Sequence, residues 1–178
     1  MRAFPGKLEL LTLASAFSAM AKATLSNPSD KQRMVERLGR IQLSSSRQWG
    51  RMSVHQMICH LSDSFRVTMG EKPWKTERIS VTPIPMPQRF VKWVALDLPL
   101  AWPRGLQTRP EVDAEVGGSK PTQFEQDRAD LLKLIERFTR QPREFAWQPH
   151  PMFGMLSDRD WMRWGYLHMD HHLRQFGA

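Results

Sequence analysis

The sequence predicts an all-α fold, a bundle of four long amphipathic helices interrupted by one long connection. Three observations carry this expectation. Apolar residues recur three and four apart in four long stretches, the spacing that lines one face of a helix. Period-two alternation is scarce, with Ile79–Pro85 the one hint of a strand. Eight of the thirteen prolines fall between Pro73 and Pro121, which rules out one continuous helix there and implies an irregular crossover between the second and third long helices.

The first long helix is expected to open at Ser26-Asn27-Pro28-Ser29-Asp30, where cap residues precede a proline in the first turn. Met34, Val35, Leu38 and Ile41 then keep a helical period to Leu43, and Ser44-Ser45-Ser46 ends it. The second runs from about Ser53 to Met69, with Val54, Met57, Ile58, Leu61 and Phe65 on one face and Gly70 as its stop. Within the crossover, Phe90, Val91, Val94 and Leu98 mark a short helix over 88–98. The third long helix begins at Thr122-Gln123-Phe124-Glu125, which fits a capping box, and carries Leu131, Leu134, Ile135 and Phe138. After Pro142, Pro149 and Pro151, Ser157-Asp158-Arg159-Asp160 opens the last helix, which extends to about Phe176.

At 178 residues the chain has the length of one domain. Residues 28–178 are expected to form the bundle and 1–27 an N-terminal extension or extra helix. In that extension Arg2 and Lys7 precede Leu8–Met20, and Ala21-Lys22-Ala23 has a small-x-small form, so the segment is a signal-peptide candidate. Glu9 and the interrupting Ser and Thr residues argue against it. A cytoplasmic location is expected, and a secreted or periplasmic one if the segment is cleaved. No stretch reaches the eighteen or so apolar residues of a membrane span. The single cysteine, Cys59, excludes an internal disulfide framework and any cysteine-rich zinc module.

Two features stand out: a net charge of +8 and six histidines. The Lys and Arg residues are scattered over every segment, and their clusters at 33–40 and 137–143 are broken by Glu36 and Pro142. Without a recognition motif, solvated helix faces account for them and no nucleic-acid partner is expected.

The histidines are more pointed. With successive residues turned by about 100°, His168 and His172 fall about 20° either side of Trp161, in the middle of the apolar face of the last helix. Burying two imidazoles there is costly unless each finds a partner. A histidine pair one turn apart presents two nitrogens to one divalent cation; alternatively both are core histidines held by hydrogen bonds. Gly165, with no side chain, permits close approach of a neighbour. His171 flanks the same arc, either as a residue supporting the ligands from behind or as a rim residue. A third ligand has to come from elsewhere: His60 and His55 lie on opposite flanks of the second helix's apolar stripe, and His150 sits in a proline-rich loop. Periodicity does not choose among them. Asp63, one turn from His60, and Gln175, three residues beyond His172, are positioned to orient an imidazole or a water, although Asp63 falls opposite the apolar face, where a surface role is the simpler account. Cys59 reads as a small packed residue.

These residues resemble a family. Trp49-Gly50-Arg51-Met52-Ser53 with His60-Leu61 is similar to the second-helix entry of DinB-like (DinB/YfiT-type) proteins. The run His168-Met169-Asp170-His171-His172-Leu173-Arg174-Gln175-Phe176 resembles that superfamily's last-helix H-x-x-H-H-x-x-Q motif. His150-Pro151-Met152-Phe153-Gly154 and Arg109-Pro110-Glu111 resemble a branch catalogued as a domain of unknown function. The resemblance implies a four-helix bundle of up-down-down-up topology whose long crossover joins helices two and three. It implies a divalent-metal site, with zinc, nickel or another first-row metal, formed by His60, His168 and His172. It also implies a metal-dependent enzyme that activates a thiol or water for transfer to a small electrophile, as a thiol S-transferase or hydrolase. The expected partners are a small-molecule substrate, a low-molecular-weight thiol and a second copy of the chain in a homodimer, with no nucleic acid and no membrane. The rival expectation is a non-catalytic metal- or ligand-binding bundle acting as a sensor or scaffold.

Overall fold

Side-chain caps fix where three of the helices start. The structure is a computed structural model and describes residues 23–73 and 86–178. Among these residues it is all-α: five α-helices, one short 3-10 turn and no strand beyond an isolated bridge between His150 and Gly154. The strand hint at 79–85 and the signal-peptide candidate segment 8–20 lie outside the described residues. None of the described helices is long and apolar enough to cross a membrane.

Helix α1 (Pro28–Arg40) is capped by Asn27, whose side chain accepts from the Ser29 and Asp30 amides, with proline in the first turn. It ends at Arg40, three residues short of the expected Leu43, because Ile41 turns extended. Helix α2 (Val54–Thr68) starts with a reciprocal capping box between Ser53 and Gln56, and Gly70 at φ +80° terminates the segment as expected. Helix α3 (Gln88–Asp97) is the short crossover helix. A 3-10 turn (Pro110–Val112) follows before α4 (Phe124–Thr139). The expected box at Thr122 is not the one formed. Gln123 is the N-cap without a side-chain bond, and it is Asp127, not Glu125, that accepts from the Thr122 amide (2.9 Å) and hydroxyl (3.0 Å). Helix α5 (Asp158–Gln175) carries the expected box between Ser157 and Asp160.

The packing follows from the apolar faces. Helix α2 lies mainly along α4, and α1 along α5; α2 also meets α5 and the 3-10 turn, while α3 rests on α5. Met34 and Leu38 of α1, Met57, Ile58, Leu61 and Phe65 of α2, Leu131, Ile135 and Phe138 of α4, and Trp161, Met169 and Leu173 of α5 are all fully enclosed. Burying such a side chain contributes on the order of 1.5–3 kcal/mol, so this seam holds the helices together. Phe65 meets Phe138 edge-on at 4.7 Å, and Trp147 closes over Phe138 at 4.9 Å. Gly165 lets Leu25 and Phe138 come close: a Cβ there would lie 2.8 Å from Leu25 Cδ1 and 3.1 Å from Phe138 Cε1. The neighbour it admits is thus the turn that leads into α1 together with α4. Arg163, buried, donates to the carbonyls of Leu96 (2.9 Å) and Ala23 (2.7 Å), tying the end of α3 and the start of the described chain to α5.

Candidate metal centre

Helix α2 presents His60 toward α5, where His168 and His172 occupy successive turns of the inward face. The three rings form a nearly even triangle: 5.1 Å between the His60 and His168 centroids, 4.6 Å between His60 and His172, and 4.9 Å between His168 and His172. One nitrogen from each lies within 4.8 Å of the others. His60 and His172 are buried and His168 is half-buried. The choice that periodicity left open therefore has a geometric outcome: His60 stands with the α5 pair, and neither His55 nor His150 does.

Hydrogen bonds fix the protons on two rings. His60 Nδ1 lies 2.9 Å from the carbonyl of Val112, and His172 Nδ1 lies 2.9 Å from Oε1 of Gln175. A carbonyl oxygen only accepts, so both Nδ1 atoms carry hydrogen and both Nε2 atoms are bare. His60 Nε2 faces His168 Nε2 at 3.1 Å, which requires the latter to donate. That leaves His168 Nδ1 as a buried lone pair with no hydrogen-bond partner among the described residues. All three rings stay neutral. Burial lowers the pKa of His60, against weaker opposition from the Val112 bond and the charges of Asp63 and Asp113. Burial, then repulsion from His172 and His60, holds His168 well below the usual histidine value. His172 is likewise held well down by burial and His60, partly offset by Gln175.

This donor set fits a divalent cation. It consists of neutral imidazoles from two helices, with the Nδ1 atoms of His60 and His172 bonded to carbonyls in the manner that orients metal ligands, and with the Nε2 atoms of His60 and His168 converging at 3.1 Å. Gln175 also donates through Nε2 to the carbonyl of Trp49 at 2.9 Å, so the same amide links His172 to the loop before α2.

The remaining sequence candidates separate clearly. His171 takes the rim position of the two expected for it, half-buried between Trp49 (5.9 Å) and Trp102 (6.3 Å) and 5.1 Å from His172. Asp63 does not orient His60 and is not on the surface. It is 1 % exposed, and its carboxylate accepts from Lys72 (2.7 Å), the Ser119 amide (2.6 Å), the Ser119 hydroxyl (2.7 Å) and Arg66 (3.2 Å). Its helix position faces away from the other helices but toward the incoming 118–120 segment, which periodicity within α2 does not register. His55 joins Asp127 of α4 at 2.7 Å, and buried Cys59 points at the same carboxylate oxygen at 3.9 Å. These three also bring donor atoms within 4.8 Å of one another. Burial, then the Asp127 and Asp63 charges, push the Cys59 thiol up to about 11, so it is a packed thiol and no nucleophile. His150 is buried in a turn: its Nδ1 accepts from the amides of Met152 (3.1 Å) and Phe153 (3.3 Å), and its ring stacks on Phe153 at 4.3 Å.

Sequence reasoning missed the Val112 carbonyl, a backbone group with no side-chain signal. It also missed Trp49 and Trp102 as walls of the centre. Trp49 stood in a quoted motif, and Trp102 in the proline-rich connection.

A helical protein with a buried three-imidazole centre is what the fold and site define. The chain belongs to the family described as "Protein of unknown function (DUF1569)", whose model matches residues 21–178. No curated protein and no solved structure matches the chain.

Proposed function

We propose that this chain is a divalent-metal-dependent enzyme whose His60, His168 and His172 hold one cation, zinc or another first-row metal such as nickel. Its reaction is the transfer of a thiol, or of water, to a small electrophilic substrate. The observation that supports this most is the meeting of three neutral imidazoles, two with Nδ1 bonded to a carbonyl and Nε2 bare. Three protein ligands, not four, is the pattern of sites that keep a position open for chemistry. When bound, the cation supplies Lewis acidity, lowering the pKa of a thiol or water so that a nucleophile exists at neutral pH.

The chain's own residues do the positioning. Val112 and Gln175 set the ring orientations of His60 and His172, and Trp102 and Trp164 pack against His168 at 5.9 and 4.8 Å, limiting water on that side. His171 stands at the rim, where it reaches a group leaving or entering the centre. The pairing of α2 with α4 and of α1 with α5 supports a four-helix bundle over 28–178 with up-down-down-up topology, the DinB-like arrangement, with 69–123 as the crossover. The same reading takes a low-molecular-weight thiol as partner, no nucleic acid or membrane, and a cytoplasmic location.

Metal analysis of tag-free protein after reconstitution tests the centre. About one equivalent of zinc per chain is expected, and His172→Ala should lose most of it; less than about a tenth of an equivalent would remove the site. A screen of thiols against electrophiles then separates an enzyme from a binding scaffold, because stoichiometric metal without turnover favours the scaffold.

A further inference from the structure

The rim of the three-histidine centre carries a cation that the chemistry above does not use. Arg104 is exposed in the loop that follows α3, and its guanidinium carbon sits 4.1 Å from the centre of the Trp49 ring. Trp49 in turn touches His171 (5.9 Å), and His171 touches His172 (5.1 Å). On the other side of His171, Trp102 leans over His168 (5.9 Å), its Nε1 fixed by donation to the Ala95 carbonyl at 2.9 Å. Two indoles therefore pack on His171, with a guanidinium over the ring of one of them.

Other cations in this part of the molecule are committed. Arg109 pairs with Glu111 (3.4 Å), Arg51 with Asp113 (3.8 Å), Lys72 with Asp63 (2.7 Å) and Arg174 with Asp170 (2.9 Å). Arg104 makes no ion pair among the described residues. Cation–π attraction to Trp49 seats the guanidinium without consuming its N–H donors, the set that matches a carboxylate in a bidentate fork. A solvated surface arginine has no need of such a seat.

We infer that Arg104 on Trp49 is a carboxylate subsite, and that the thiol partner is a mercaptocarboxylate whose apolar chain lies along Trp102 while its sulfur reaches the histidine centre. This rests on the metal-centre reading proposed above. Arg104 and His172 are linked through the Trp49 and His171 rings, so an acid with several bonds between carboxylate and sulfur is the form expected to engage both, and mercaptoacetate serves as the short control.

The test uses the full chain loaded with cobalt(II), whose thiolate charge-transfer absorption reports sulfur binding. Mercaptoacetate, long-chain ω-mercaptocarboxylates and matched ω-mercaptoalcohols are titrated against it. Long acids should bind about tenfold more tightly than their alcohols, the equivalent of one charge-assisted contact. Arg104→Ala should bring the acids to the alcohol value and leave alcohols and mercaptoacetate unchanged, with far-UV circular dichroism confirming the fold. Arg104→Lys should keep part of the preference, as a point charge without the fork. Equal affinities of long acids and alcohols for the wild type, or equal losses for both in Arg104→Ala, would overturn the subsite while leaving the centre standing. A cobalt spectrum unmoved by every thiol, alcohols included, would overturn thiol activation at the centre and the subsite with it.

Discussion

Gln175 shows how much rests on one amide. Its Oε1 fixes the tautomer of His172 at 2.9 Å and its Nε2 holds the Trp49 carbonyl at 2.9 Å. Because that loop turns at Gly50 with φ +80°, and a Cβ there would lie 2.5 Å from Gln175 Nε2, glycine is required both for backbone conformation and for space. Outer partners of this kind are worth about 10–100-fold in metal affinity. Gln175→Ala is therefore expected to weaken zinc binding by about that factor in a chelator competition, with the helical circular dichroism signal preserved. Gly50→Ala should weaken it in the same direction and also cost about 1–2 kcal/mol of stability from the left-handed backbone. Zinc affinity unchanged in Gln175→Ala would show that the amide serves only the loop.

The helices carry these groups, and their ends and contacts set how firmly. Ser53 and Ser157 each close a reciprocal box at the start of the two ligand-bearing helices, α2 and α5, and replacing either by Ala should cost about 1 kcal/mol in denaturant unfolding. Gly165 is more severe. Leu25 and Phe138 are fully enclosed and stand 2.8 and 3.1 Å from where a Cβ would lie, so Gly165→Val should destabilise by about 3 kcal/mol. These elements were largely legible in the sequence. The cap residues before α1 and α5, the start of α2 near Ser53, the stop at Gly70 and the His168–His172 spacing are local signals, each contained in a few consecutive residues. What was not legible depends on what packs from outside a helix. His60 and His55 were equivalent on the α2 wheel until α5 and α4 took opposite flanks. Asp63 pointed away from every helix, yet the Ser119 segment covers it. Thr122 meets Asp127, two residues past the position that the box pattern expects, because α4 begins later.

For the molecule as a whole, basic residues outnumber acidic ones by 26 to 18; ion pairs such as Lys31–Glu136, Arg37–Asp170 and Lys92–Asp160 neutralise part of the positive charge, and the surplus is spread along the sequence. Its stability depends on pH through buried groups in two separate windows. Asp63 is destabilised as a carboxylate by burial, but bonds from Lys72 and Ser119 outweigh this and hold its pKa below the usual range. Its stabilisation is full above the unfolded value of about 3.9 and is lost only as pH falls further. His150 acts earlier. Burial, then the charge of Arg109, lowers it to about 3, while in the unfolded chain it titrates near 6.5. Between those values the unfolded state binds one more proton than the folded state, so stability rises with pH and falls on acidification. That one proton is worth about 1.4 kcal/mol per pH unit. His60, His168 and His172 act with the same sign in the metal-free chain. In His150→Asn the side-chain oxygen replaces Nδ1 as acceptor for the Met152 and Phe153 amides but takes up no proton. Urea unfolding of chelator-treated protein between about pH 6 and 4 should accordingly show a slope of stability against pH smaller by about 1.4 kcal/mol per unit in His150→Asn than in wild type. Asp63→Asn should leave that slope intact but lower stability throughout the range above about pH 4, the difference from wild type shrinking only as pH falls further and the carboxylate is protonated. An unchanged slope in His150→Asn would mean that the imidazole is protonated in the folded chain as readily as in the unfolded one, and that the turn at 150–154 is open to water.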